Sequence, residues 1–315
     1  MPGQVWAVAA DGGYMYADQL SDYLRMTLLP TVKFRQFCDA DDFTDKGLHA
    51  GQAFNWNIYS TVSDVGTSLN ENLPIPSGKF TITQGSGTIT EYGLQVPYTG
   101  KLDDLSLHPV KAVINKVLRE HATRTLDYAA WSEFNSSPLT VAPTSGTSTT
   151  AVTLETTGTC TITNNVAMGK DHIKAIVDVM KERNIPGYFD NGDYGCVARP
   201  TTFRGVKNDL ESIHTYVTPG FTMIMNGEMG RYEGTRFFEQ TAIASAGWSN
   251  AKSDRAYFFG GDTVHEAIAI LEEIRAKQGV DFGRDRSVAW YALLGFKLVH
   301  SVAANARIVR WASAA

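Results

Sequence analysis

Between Pro109 and Phe134 apolar positions recur every three or four residues. Val110, Val113, Ile114, Val117, Leu118 and Leu126 share one face, with Lys111, Lys116, Arg119, Glu120 and Arg124 mostly off it. The pattern predicts one helix of about 26 residues, a rod near 39 Å at about 1.5 Å per residue, with Pro109 suited to its first turn. So long a helix reads as a spine. The same spacing predicts shorter helices at Tyr16, Leu20, Leu24 and Leu28, stopped by Pro30; at Ile173, Ile176, Val177 and Met180; and at Phe203, Val206, Leu210 and Ile213. In "FFGGDTVHEAIAILEEIRAKQG" Thr263 and Glu266 form a capping box and Gly279 a stop, which predicts one helix more.

Other stretches are rich in β-branched and aromatic residues. In "ENLPIPSGKFTITQGSGTITEYGLQVPYTGKLDD" (residues 71–104) two such runs flank "QGSG", which predicts a long β-hairpin with those glycines at its tip. Strands of about ten residues would project roughly 30 Å, and a two-stranded ribbon is marginal alone in water, so it needs a surface to lie on in its own chain or another. "YGCVA", "FTMIM" and "TRFFEQT" read as strands beside the helices of residues 167–255, giving that region α/β texture, and "SVAWYALLGFKLV" and "ARIVRWAS" read as paired strands of the tail. From Ser136 to Asn165 half of the residues are Ser or Thr. That segment reads as an inserted loop or small β-excursion protruding at a surface.

Composition adds limits. The chain has 315 residues, 43% apolar and 19% charged, with a net charge of −5. Charge is sparse for a soluble domain, which suits a chain that hides surface in contacts, and mild acidity argues against a broad grip on nucleic acid. Cys38, Cys160 and Cys196 lie far apart and form no metal-ligand spacing, so they read as small apolar residues in a reducing compartment. The opening "MPGQVWAVAADGG" lacks the basic start and apolar stretch of a signal peptide. The apolar run Val288–Phe296 is too short to span a bilayer. The expectation is a protein made in a cytoplasm, with no membrane partner.

Catalytic and metal motifs fail one by one. Ala269 stands where the second histidine of a zinc-protease helix belongs after His265 and Glu266. Asp39, Asp41, Asp42 and Asp45 read as a solvated acidic turn, because Phe43 and Thr44 occupy positions where a calcium loop needs an oxygen ligand and a glycine. Asp190 and Asp193 of "DNGDYG" read as turn residues, Asp103 and Asp104 as neighbours on opposite faces of a strand, and His121 as a partly buried, hydrogen-bonded histidine. "NGEMGRYEGTRFFEQT" (Asn226–Thr241) has neither the lysine nor the glycine spacing of a phosphate cradle. Gly227 and Gly230 are instead expected to turn the chain between two strands.

The order of parts, together with "LNENLPIP", "GTITEYGLQVPYTGKLDDLSLHP", "RPTTFRGVKNDL", "NGEMGRYEGTRFFEQT" and "EEIRAKQGVDFGRDRSVAWYALLGFKL", resembles the major capsid proteins of tailed bacteriophages with the Hong Kong 97-type fold. The resemblance implies an α+β chain: an N-terminal arm (1–50), an extended loop (51–100) lying across a neighbouring subunit, a peripheral domain with the spine helix (101–135), the Ser/Thr-rich insertion (136–166), an axial domain (167–255) and returning peripheral strands (256–315). It implies a structural role without catalysis, cofactor or metal. Copies would self-assemble as hexamers and pentamers into an icosahedral virion shell in the bacterial host cytoplasm. Further partners would be a portal protein, separate scaffold or decoration chains, and packaged double-stranded DNA held by proximity. Contacts in such a shell are individually weak, of the order of 4 kcal/mol, because many engage together. Glu71, Lys79, Glu91, Lys101, Arg284 and Arg286 are the candidate intersubunit charges. The alternatives are an encapsulin-type compartment shell, an α/β ligand-binding enzyme domain using residues 167–255, or a β-rich tail or adhesin component.

Overall fold

The computed structural model describes residues 32–42, 52–214, 230–243 and 255–312, apart from 63–65, 67, 73, 76, 163, 281 and 283. The helix predicted at Tyr16–Leu28 and the strand "FTMIM" lie outside the described residues. In chain order the elements are β1 (Asp39–Asp42), β2 (Ala53–Tyr59), β3 (Ile82–Thr88), β4 (Thr90–Thr99), α1 (Gly100–Leu105), α2 (Val110–Asn135), β5 (Leu139–Pro143), β6 (Val152–Glu155), α3 (Lys170–Glu182), β7 (Tyr194–Ala198), α4 (Pro200–His214), β8 (Arg231–Tyr232), β9 (Thr235–Glu239), β10 (Ala256–Phe259), β11 (Val264–Val280), β12 (Asp285–Leu298) and β13 (Ile308–Trp311).

The spine helix forms as its pattern predicts, and its buried residues explain how it joins two sheets. Val110, Ile114, Leu118, Ala122, Leu126, Ala130 and Phe134 are buried at every fourth position. Four residues advance a helix by about 400°, so this stripe drifts about 40° per step and winds well over half way round α2. Mid-helix His121 meets Trp290 of β12, whose Nε1–H donates to His121 Nδ1 at 3.1 Å. At the C-terminal end Phe134 packs edge-on against Phe259 of β10, and the Nε1–H of Trp131 donates to the Tyr257 hydroxyl at 2.8 Å. Val117 lies off this stripe and is 43% exposed, not on the buried face.

One sheet has the order β6-β5-β13-β10-β7-β9-β8 and is sandwiched between helices. Alternation along β10 shows this directly: Ala256 and Phe258 join Ile173, Ile176 and Met180 of α3 and Phe203 and Val206 of α4, while Tyr257 and Phe259 join α2. The second sheet, β1-β11-β12-β4, works likewise: Val288, Trp290, Ala292, Leu294, Phe296 and Leu298 of β12 face α2, and Leu293 faces the opposite side with Ala267 and Ala269. The ribbon β2–β3 covers that opposite side through Phe54.

Several expectations are corrected. Residues 264–280 are a strand and not a capped helix, because β12 offers them a continuous antiparallel ladder from Val264↔Leu298 to Val280↔Asp285. Helix-forming Ala, Glu, Leu, Lys and Arg yield to that pairing. "QGSG" lies inside β3, which pairs with β2 upstream, while β4 pairs with β12, so β3 and β4 are not arms of one hairpin. The Ser/Thr-rich segment is no mere protrusion: Leu139–Pro143 is a wholly buried strand, parallel to β13, with β6 on its outer side. Asp39–Asp42 form an exposed strand parallel to β11 in place of a turn, and Asp103 and Asp104 sit on the helix α1. β10 and β13, which follow residue 255, share one sheet with β7 and β9, which precede it.

Candidate assembly surface

The ribbon is joined to the body by an aromatic-on-glycine contact. Trp56 pairs with Gly85 and Phe54 with Gly87 across β2 and β3. A Cβ added at Gly85 would lie 2.5 Å from the Trp56 indole Nε1 and Cζ2, and one at Gly87 would lie 2.6 Å from Cε1 of Phe54. The glycines therefore let both rings lie flat across the partner strand. Phe54 is fully buried in the cluster of Ile89, Ala267 and Leu293, and Trp56 donates its indole N–H to the Val299 carbonyl at 3.3 Å. His265 of β11 meets both rings edge-on, and its Nε2 is 2.7 Å from Asp41 Oδ2, so β1 and the ribbon touch the same side chain.

Beyond this root the ribbon and its 60–81 connection carry exposed apolar residues: Tyr59 (77%), Leu69 (63%), Ile75 (74%), Phe80 (60%) and Ile82 (62%). Each leaves apolar area in water that a contact would remove at about 25 cal/mol per Å². Concentration of large exposed side chains on one ribbon and its connection marks an interaction surface.

The chain entering β1 is held more tightly. Phe34 is fully buried between Phe134 and Tyr257, with ring centroids 5.3 Å away in each case. Arg35 Nε donates to Glu266 Oε1 at 2.8 Å and Nη1 to Glu272 Oε1 at 2.9 Å. Burial raises the Glu266 carboxyl above its ordinary value, although Arg35 opposes this. Burial works the same way at Glu272, yet the hydrogen bond from Arg35 brings it out below its ordinary value. Exposure accounts for the contrast, since the Glu266 side chain is 4% exposed and that of Glu272 40%.

The candidate charges divide. Glu71, Lys79 and Lys101 are exposed. Glu91 accepts a hydrogen bond from the Tyr291 hydroxyl at 3.1 Å. Arg286 pairs within the chain with Asp103 at 2.6 Å, and Lys111 reaches the same carboxylate at 3.2 Å. The carbonyl of Arg284 accepts from the Gly100 N–H at 2.9 Å, which brings Arg284 beside the start of α1 and Lys101.

Sites suggesting other chemistry have internal explanations. In "NGEMGRYEGTRFFEQT" Gly230 has the positive φ expected of it, 60°, just before β8, while the turn between β8 and β9 falls at Glu233 and Gly234, with φ of 49° and 70°; Gly227 lies outside the described residues. Arg231 and Arg236 converge on the buried Asp193, at 2.6 and 3.1 Å, so they serve a carboxylate of "DNGDYG". A pocket of about 350 Å³ is lined by Arg124, Thr125, Asp127, Tyr128, Trp131, Gln240 and Ala242. Its carboxylate is committed: Asp127 accepts from the Arg35 backbone N–H at 3.1 Å and from Gln240 Nε2 at 2.6 Å. Among the described residues no group of three or more His, Cys, Asp or Glu could hold a metal ion, and no helix is long and apolar enough to cross a membrane.

Nothing in the sequence pattern singled out Phe54, Trp56 or Arg35, and Asp193 read only as a turn residue. One signal was available: the two aromatics stand two residues apart, as do Gly85 and Gly87, the spacing of cross-strand partners on one face.

The whole chain can be set beside known proteins. No curated protein matches it. Its fold matches solved structures of Mycobacterium phage Che8 (TM-score 0.64, 11% identity, 94% of this chain and 96% of that one) and the capsid of Ralstonia phage GP4 (0.65, 12%, 95% of each). It also matches the capsid of a native GTA particle (0.62, 14%, 98% of this chain and 99% of that one). The architecture is thus the Hong Kong 97-type fold. A family model described as phage capsid protein matches residues 84–307, more than half of the sequence, and the chain belongs to that family.

Proposed function

We propose that the chain is the major capsid subunit of a tailed bacteriophage, a structural protein without catalytic activity. Copies self-assemble as hexamers and pentamers into an icosahedral shell around double-stranded DNA. The observation that carries this reading is the ribbon with its 60–81 connection, where Tyr59, Ile75, Phe80 and Ile82 are exposed on an element that is marginal alone. Such a ribbon gains stability when another subunit covers it. Residues 1–50 serve as the arm, 51–100 as the extended loop and 101–135 as the spine region. Residues 167–255 supply the axial domain, joined by β5, β10 and β13 of its sheet, and residues from 264 onward return to the spine. The shell forms in the host cytoplasm and also meets a portal protein and any separate scaffold or decoration chain. Exposed Glu71, Lys79 and Lys101 take part in pairing between subunits.

Electron microscopy of the purified chain tests the reading. Closed shells or ring-like capsomers are expected; a monomer at all concentrations, with a melting temperature that shifts on adding a small ligand, would refute it.

A further inference from the structure

β4 is an unguarded sheet edge. It pairs with β12 on one side, and among the described residues no strand lies on its other side. Open edges are templates for pairing with another chain, and proteins usually blunt them with charge or shortness. The other outer strands of the two large sheets follow that rule: β1 carries three aspartates in four residues, β8 has two residues and β6 four. β4 has ten residues and a single formal charge, Glu91, and its one proline, Pro97, lies beyond residues 90–94, which are left without a guard. Leu94 is 42% exposed on it.

The chain offers a segment that matches this edge. Residues 77–82, "SGKFTI", are all exposed and also carry a single formal charge, Lys79; they lead into β3, where Thr81 and Ile82 meet Ser60 and Tyr59 on one side and, among the described residues, no strand lies on the other. Laid parallel to β4, Lys79 falls opposite Glu91, Phe80 opposite Tyr92, Thr81 opposite Gly93 and Ile82 opposite Leu94. Opposite charges meet on one face and the apolar pairs share the other, as period-two geometry requires. One chain cannot make this pairing with itself, because parallel neighbours need a crossover of about a dozen residues or more. Only residues 83–88 lie between residues 77–82 and the stretch 89–94 that would face them, and β3 already uses them.

We propose that the open edge of β4 receives residues 77–82 of a second copy as a parallel strand, with Lys79 of one copy paired to Glu91 of the other. This rests on the shell reading and specifies where the extended loop of one subunit binds the next. Charge exchange tests it. Lys79→Glu and Glu91→Lys should each raise the critical concentration for assembly about fivefold by placing like charges opposite each other. The double variant should return it to the wild-type value. Both side chains are exposed, so unchanged melting of the unassembled variants confirms that folding is intact. Hydrogen exchange supplies a second readout: outward amides of residues 90–94 should exchange at least about tenfold more slowly in the shell than in the free subunit. Shells with a double variant no better than the singles, or with these amides equally fast in both states, overturn the proposal while leaving the shell reading intact. A wild-type chain that forms no shell overturns both.

Discussion

Valine at position 85 isolates the contact that holds the ribbon to the body. The Gly85 backbone is ordinary β-strand with no positive φ, so strand propensity by itself favours Gly85→Val by up to about 1 kcal/mol. The steric effect has the opposite sign. The new Cβ would lie 2.5 Å from two atoms of the Trp56 indole, so the ring must leave the face of β3. It then gives up its hydrogen bond to the Val299 carbonyl, worth about 1 kcal/mol. It also gives up ring contacts to Phe54 and His265, at 5.7 Å each, worth roughly 0.5–1.5 kcal/mol apiece. The net expectation is a loss of about 2 kcal/mol in ribbon docking, or roughly thirtyfold in the undocked population. The two larger cores contain neither residue, so global melting should stay nearly constant. Hydrogen exchange across residues 52–59 and 82–89 measures the docking, and shell yield measures the consequence. In a Trp56→Ala background the same valine should be neutral or favourable. Unchanged exchange in Gly85→Val, or equal loss with and without the indole, would refute the aromatic-on-glycine account.

Two further variants probe the body. Arg35→Met leaves Glu266 buried without its cation and should cost about 2 kcal/mol in urea unfolding at pH 8, discounted because Arg35 is partly exposed. Glu266 already has a raised carboxyl value when folded, so its contribution to stability is present below the ordinary glutamate value and lost as pH rises through the folded one. Removing Arg35 raises the folded value further, so the penalty should shrink towards pH 4.5; an equal penalty at both pH values would contradict the account. Tyr257→Phe removes the acceptor of the Trp131 indole and the donor to Asn135 Oδ1, bonds of 2.8 and 3.1 Å in a buried site. Burial pushes the phenol up to about 12, so these bonds persist across the usable pH range. The expected cost is about 1–3 kcal/mol, read as a fall of at least about 2 °C in melting temperature; an unchanged melting temperature would argue against the network.

Legibility in the sequence followed how local the determining interaction is. The α2 stripe, the apolar faces of α3 and α4, and the runs "YGCVA" and "TRFFE" each form the element their spacing predicts, because one face or one short run decides them. The buried strand "LTVAP" was hidden by averaging composition over a Ser/Thr-rich window, although its own five residues are largely apolar. "VHEAIAILEEIRAKQGV" misled for a deeper reason. Its helical propensity is genuine, but the competing state is supplied by β12, which lies on the far side of a turn and brings a whole ladder of hydrogen bonds. Asp193 looked like a turn residue because the arginines that claim it arrive from residues 231 and 236.

The sequence by itself determined the spine helix, the α/β texture, the failure of each catalytic motif and, through the order of its parts, the capsid resemblance. These rest on residue types and short spacings, which survive without knowing the neighbours. Only the tertiary structure decided what the glycines of "QGSG" do, which strand pairs with β4, and which charges are consumed within the chain. A glycine opposite a tryptophan is a seat for a ring, and the same glycine opposite solvent would be a turn. The difference lies in what folding brings across from residue 56, a partner that no pattern along residues 84–87 contains.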